Sequence, residues 1–396
     1  MKNPYIRMAA GLYINYFLLG MINVILSSNM SFLTVQLNTD KAAIGYLVSA
    51  IGIGKLLALG VAGKMSDKYG RKPLIVIASF AYLIFLIGIP LAPNYTLAFV
   101  FAIIAGLCNS MMDAGTYPAL IEGFGKKAGS ATVLVKASIS IGAIAIPFMI
   151  AFFINHDLFY GYSFFIPAAI YLLNGISLSL TAFPNHKAEE QKAPTEAGQS
   201  TDSFHSEPKF WHEGLSLIII GFTSTVLFMI VQLWLPTFGQ EALGMDKASA
   251  IKLLSYYSIG SLVSVILLAV VLGRFIKPIT VMIVYPLIAL LSLLALIVWH
   301  NPVATLISSF LIGLSTAGIF QIALTVMTEF FRKNKGTTTS LVNIAASLSF
   351  ILMPLATGGM SKSLGITAVF ILDIAIAVVS ILLAVFVAYR YKKVFH

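Results

Sequence analysis

Lys55, Asp113 and Lys136 sit inside the apolar runs of a chain that places few charged groups there. Their surroundings read IGYLVSAIGIGKLLALGV, AIIAGLCNSMMDAGTYPAL and ATVLVKASISIGAIAIP. Placing a charged side chain inside such a run costs a few kcal/mol in a bilayer, so it signals a function or a partner. A carboxyl in low dielectric can take up and release a proton, and a nearby ammonium biases that exchange. The lysines can also bind an anionic or hydroxyl-rich ligand. A static Asp–Lys pair that neutralises itself and joins helices is the plainer alternative.

The elements that must position these groups are membrane spans. Of 396 residues, 59% are hydrophobic and 10% charged, with a mean hydropathy of +0.93. A soluble domain carries about a quarter charged residues. Apolar stretches of roughly 20 residues, long enough to cross about 30 Å of hydrocarbon, recur along the chain. The short alternating strands of a membrane β-barrel are absent. The composition predicts an all-α polytopic membrane protein with spans near 8–30, 42–63, 73–93, 96–121, 130–154, 159–183, 214–237, 249–272, 277–299, 302–328, 338–357 and 365–389. The first run follows a short basic stretch without a convincing cleavage site and reads as a retained helix. Counting about 1.5 Å per residue puts Lys55, Asp113 and Lys136 about 12, 13 and 9 Å from the same face, in one layer.

The net charge of +10 does not point to nucleic acid, because the cations lie between spans and mostly in alternate loops. Nineteen lysines and arginines fall in the loops on the side of the termini, against Lys41, Lys247 and Lys362 opposite. That bias places both termini in the cytoplasm. The lone Cys108 rules out an intrachain disulfide. No histidine lies deep in a span, and no spacing suits a metal or another cofactor. The loops hold no catalytic or phosphate-cradling arrangement, which argues against an enzyme.

Residues 184–213 are charged, contain Pro and Ser, and show no periodicity, as expected of a flexible linker. It separates an N-terminal half, 1–183, from a C-terminal half, 214–396. The halves repeat: residues 106–147 align without a gap on 313–354, matching Gly106 to Gly313, Glu122 to Glu329, Lys126 to Lys333 and Pro147 to Pro354. Two even-numbered halves of one orientation fit a parallel repeat about an axis along the membrane normal, a construction found in transporters. In this register neutral Phe320 stands opposite Asp113 and Asn343 opposite Lys136. The charge belongs to one half.

The loop between spans 2 and 3 reads GKMSDKYGRKP over residues 63–73. Its Gly63, Asp67, Gly70, Arg71 and Lys72 resemble the signature loop of the major facilitator superfamily, roughly G-x-L-x-D-x-x-G-R-K. The resemblance implies two six-helix bundles related by pseudo-two-fold symmetry that rock about a central site. It also implies that Asp67, in the outward-open state, latches onto the start of span 11, near Thr337, Thr338 and Thr339, where a helix N-terminus favours a carboxylate. Glu122 and Glu329 would join loops 4–5 and 10–11 to the motif loops. Within that fold the other polar groups of the cavity-forming helices are Asn23, Asn29, Asn109, Thr116, Gln232, Trp234 and Gln321. Amides and an aromatic at mid-depth suit a hydroxyl-rich ligand. Asp373 in span 12 reads as a carboxylate near the outer interface.

Helix 4 lacks the early arginine of drug–proton antiporters, and SIGAIAIPF in helix 5 lacks their Gly-Pro pair. GLCNSMMDAGTYP instead is similar to the fucose–proton symporter group, with Asp113 five residues before Pro118 and Tyr117 where that group has asparagine. The second acid of that group, in helix 1, has no match. The expectation is a monomeric transporter in the cytoplasmic membrane that couples protons to a small, sugar-like solute. A drug exporter and an organic-anion transporter are the alternatives.

Overall fold

The computed structural model describes residues 4–125, 128–184, 208–272, 276–299, 301–331 and 335–395, with the backbone alone at 335–337. Most of the linker, and Lys126, Lys127, Arg332 and Lys333, lie outside the described residues, as does the Thr337 side chain.

Among the described residues, twelve helices are long and apolar enough to cross a bilayer. They are α1 (Ile6–Ser28), α2 (Lys41–Tyr69), α3 (Arg71–Leu91), α4 (Tyr95–Phe124), α5 (Ala128–Asn155) and α6 (Tyr162–Leu180). The second half supplies α7 (Phe210–Glu241), α8 (Lys247–Val271), α9 (Pro278–Val298), α10 (Pro302–Phe330), α11 (Thr338–Leu364) and α12 (Ile366–Phe395). A short helix, Met30–Gln36, follows α1.

Helix starts are fixed by local chemistry. Asp40 accepts from the Ala43 amide at the start of α2, and Asp246 accepts from the Ser249 amide at the start of α8. These aspartates open the repeated DKAAI and DKASAI segments, so the repeat includes a helix cap. Gly70 ends α2 with φ +94°, a conformation that disfavours any other residue, and the chain turns directly into α3. The motif glycine is thus a requirement of the turn.

Where α2 crosses α4, the backbones touch. A Cβ on Gly54 would lie 2.0 Å from the Ile103 carbonyl oxygen, and one on Gly106 would lie 2.0 Å from that of Ile51. Gly260 of α8 and Gly313 of α10 repeat this crossing against Phe310 and Tyr257. Small residues permit such approach, which is how membrane helices pack when lipid is as apolar as their side chains.

Sequence patterning gives one continuous tenth span. The structure divides it into Pro302–Thr316 and Ile319–Phe330, with the break at Ala317 and Gly318. Irregular backbone at membrane depth is tolerated where it lines a cavity, and Thr316, Ala317 and Phe320 do so.

Contacts joining the bundles gather on the side away from the termini. Ser49 of α2 donates to the Ile351 carbonyl of α11, and Ser255 of α8 donates to that of Ile144 in α5. At the surface there, Lys41 pairs with Glu241, and Lys362 lies 2.8 Å from Asp40. Lys247 stands 3.3 Å from the Phe32 ring centroid. The apolar core follows the same division. One cluster runs through the N-terminal bundle and the far half of the C-terminal bundle, including Trp234, Leu254 and Phe370. A second, around Leu217, Met282 and Phe330, fills the termini side of the C-terminal bundle alone.

Candidate substrate cavity

A cavity of about 440 Å³ lies between the bundles and is lined from both.

The charged group forms around α4. The Gly54/Gly106 crossing presses α2 against α4, and Ser110 of α4 donates to the Lys55 carbonyl at 2.6 Å. Asp113 lies two turns beyond Gly106, and the Lys55 ammonium approaches its Oδ2 at 3.4 Å. The other oxygen, Oδ1, accepts from the Tyr16 hydroxyl of α1 at 2.6 Å. Tyr16 is fully buried and packs edge-on against Tyr117 at 5.9 Å between ring centroids. Asp113 and Lys55 each keep about a third of their side-chain surface open, at 30% and 31%. They are therefore reachable from the cavity as well as from each other.

Lys136 enters the same cavity from α5. It is deep in the protein, yet its side chain is exposed to the cavity space. Its ammonium has no ion pair or hydrogen-bond partner among the described residues. The three charges thus share one chamber, but Lys55 holds Asp113 and Lys136 does not.

Asn23, Asn109, Gln232, Gln321 and Asn343 line the cavity, as their types and depths lead one to expect. The Asn109 carbonyl oxygen is buried without a partner. Three other candidates are elsewhere. Asn29 is buried and donates to the Ile25 carbonyl and to Ser163 of α6, where it ties helices together. Trp234 is fully buried and donates to Thr357 of α11 at 2.9 Å. Thr116 is buried beside Tyr16, behind the wall. In each case a polar group at the right depth points to another helix.

The described contacts of the motif loop lie within the N-terminal bundle. Asp67 pairs with Arg71 four residues later, and its side chain is 64% exposed. Arg71 is nearly buried and also reaches Glu122 of α4 at 3.0 Å, joining α2, α3 and α4. Lys72 is half-buried, and a Cβ on Gly63 would meet nothing within 4 Å. Glu329 leaves one carboxylate oxygen buried without a partner.

Asp373 is a correction. It is fully buried in α12, with neither carboxylate oxygen hydrogen-bonded to a described residue. Its place near one end of the helix suggests an interface, but its face turns inward. Tyr16 is the residue that sequence reasoning missed. Helix 1 was expected to offer asparagines, and the partner of Asp113 is a tyrosine whose relevance depends on how α1 packs against α4.

Twelve spans, a duplicated packing plan and a central polar chamber define a polytopic membrane transport protein. The sequence matches the Major Facilitator Superfamily over residues 12–331 and again over 253–394, and the chain belongs to that family. It is 53% identical to an uncharacterised MFS-type transporter, YfkL of Bacillus subtilis (strain 168), covering 99% of this chain and 98% of the relative. It is 35% identical to the inner membrane transport protein YdiN of Escherichia coli (strain K12), covering 100% and 92%. Among solved structures, a D-xylose-proton symporter superposes with a TM-score of 0.77 at 15% identity, covering 97% of each chain. The family and these relatives are transporters, not enzymes.

Proposed function

We propose that the protein is a proton-coupled secondary transporter that carries a small, hydroxyl-rich organic solute across the cytoplasmic membrane by alternating access. The observation that carries this reading is Asp113. It is an ionisable group in the central chamber, held by Tyr16 and Lys55 and still open to the cavity. Protonation removes its attraction for the Lys55 ammonium and frees that ammonium for solute. Deprotonation restores the pair. One group thereby links proton occupancy to the shape and charge of the chamber. The similarity to a D-xylose-proton symporter agrees with this reading through the shared fold.

The charge bias of the loops puts the termini in the cytoplasm. With contacts between bundles gathered on the opposite side, the conformation is inward-facing. The bundles, residues 1–183 and 214–396, rock about the chamber while the linker 184–213 tethers them. One chain supplies both walls of the chamber, which supports a monomer as the working unit.

The test is uptake into proteoliposomes under an imposed pH gradient. Accumulation driven by the gradient, lost in Asp113→Asn while solute binding persists, supports the reading. Accumulation unchanged in that variant overturns it.

A further inference from the structure

The geometry points to a hydroxylated carboxylate as the cargo, with Lys136 as the residue that binds its carboxylate group. This rests on the transport reading above and names its substrate class.

The argument begins with charge. Among the described residues lining the cavity, the lysines and carboxylates are Lys55, Lys136 and Asp113. Asp113 is paired with Lys55 and also accepts from Tyr16. That leaves the Lys136 ammonium without an ion pair or hydrogen bond among the described residues. An unpaired ammonium on the wall of a cavity between membrane helices attracts a counter-ion, because the low-dielectric walls focus its field. A neutral sugar cannot supply one. A carboxylate can, at the position where Lys136 meets the cavity.

The remaining walls define the rest of the molecule. Asn109 lines the cavity with a side-chain amide, which can hydrogen-bond a solute hydroxyl. Gln232 and Asn23 add further amides. Phe228, Met229 and Phe350 supply apolar surface along the C-terminal wall. The repeat makes the placement one-sided: Asn343 stands where a second Lys136 would, so one ammonium, and not a symmetric pair, marks the carboxylate end. A hydroxylated monocarboxylate fits this inventory.

The coupling follows from the same count. One proton on Asp113 together with one monocarboxylate crosses with no net charge, so uptake responds to a pH gradient and ignores membrane potential.

The experiment uses purified full-length protein and matched probes that differ only in charge: gluconate against sorbitol, and lactate against 1,2-propanediol. Thermal unfolding in detergent is expected to shift upward with at least one carboxylate and not with its neutral partner. Lys136→Gln is expected to weaken that carboxylate's binding at least tenfold, with Lys136→Arg keeping most of it. Shifts produced by the neutral members and not by the carboxylates overturn the inference, as does the absence of a shift with either carboxylate. Carboxylate affinity unchanged in Lys136→Gln also overturns it. Reconstituted flux separates the two readings. Carboxylate uptake through Lys136 that ignores a pH gradient overturns the proton coupling alone. Gradient-driven uptake of a neutral polyol that survives Lys136→Gln overturns the carboxylate assignment alone.

Discussion

The hydroxyl of Tyr16 on α1 donates to the carboxylate of Asp113 on α4 at 2.6 Å, across 97 residues of sequence. The opposite carboxylate oxygen faces Lys55. A hydrogen bond to a charged group contributes about 1.5–3 kcal/mol. Tyr16→Phe is therefore expected to keep the fold and lower gradient-driven uptake roughly ten- to a hundredfold. Initial rates in proteoliposomes, with the unfolding midpoint as a control, check this. An unchanged rate would make the tyrosine a packing residue only.

Asp40 carries two duties that one substitution can separate. The Lys362 ammonium holds its carboxylate below the ordinary range, aided by the Ala43 amide. A depressed carboxylate contributes its attraction above the unperturbed value, about 3.9, and loses it as pH falls through the lowered one. The clamp between bundles is thus insensitive to pH from 8 to 5 and weakens only in stronger acid. Asp40→Asn keeps the helix cap and removes the clamp. Maleimide labelling of a cysteine placed at Ser31, on the same seam, should rise in this variant and with added salt. Labelling that stays flat in Asp40→Asn would remove the pair from the gate.

The Gly54/Gly106 crossing fixes the distance from Lys55 to Asp113. Gly106→Val brings side-chain atoms into the Ile51 carbonyl, with an expected loss of about 3 kcal/mol or more in stability. Gly313→Val should behave alike at the repeated crossing. Thermal unfolding in detergent reads both, and a wild-type midpoint in either would show that the helices separate at little cost.

Gly63 presents the opposite case. It lies inside α2 and a Cβ there meets open space, so Gly63→Ala should stabilise this conformation by about 0.5–1 kcal/mol through helix propensity. If its role is close approach in the alternate state, the same variant slows turnover. Equal turnover in the variant and the wild type would leave the motif glycine without that role.

Asp373 is buried with both oxygens unpartnered. Replacing it with Leu removes an unsatisfied polar group and should raise stability by about 1–3 kcal/mol. Gradient-driven uptake should be unchanged. Loss of uptake with retained fold would make Asp373 a second coupling group.

The membrane class, the twelve spans and the duplication were legible in sequence because they rest on local quantities. Run length, hydropathy and the register of a repeat require no knowledge of packing. The charged layer was legible too, since depth along a helix is a count of residues. Rotation about each helix axis was not. Asn29 and Trp234 lie at cavity depth and bond to neighbouring helices, while Tyr16 turns to Asp113. The Asp67 pairing depends on which side of the molecule is open. Nor does hydropathy report a break such as that at Ala317 and Gly318, because the flanking residues stay apolar. Sequence thus determined which groups are buried in the bilayer and how deep. Tertiary structure decided which of them meet, because a contact between helices depends on crossing point and rotation, and backbone contact at two glycines sets both for Lys55 and Asp113.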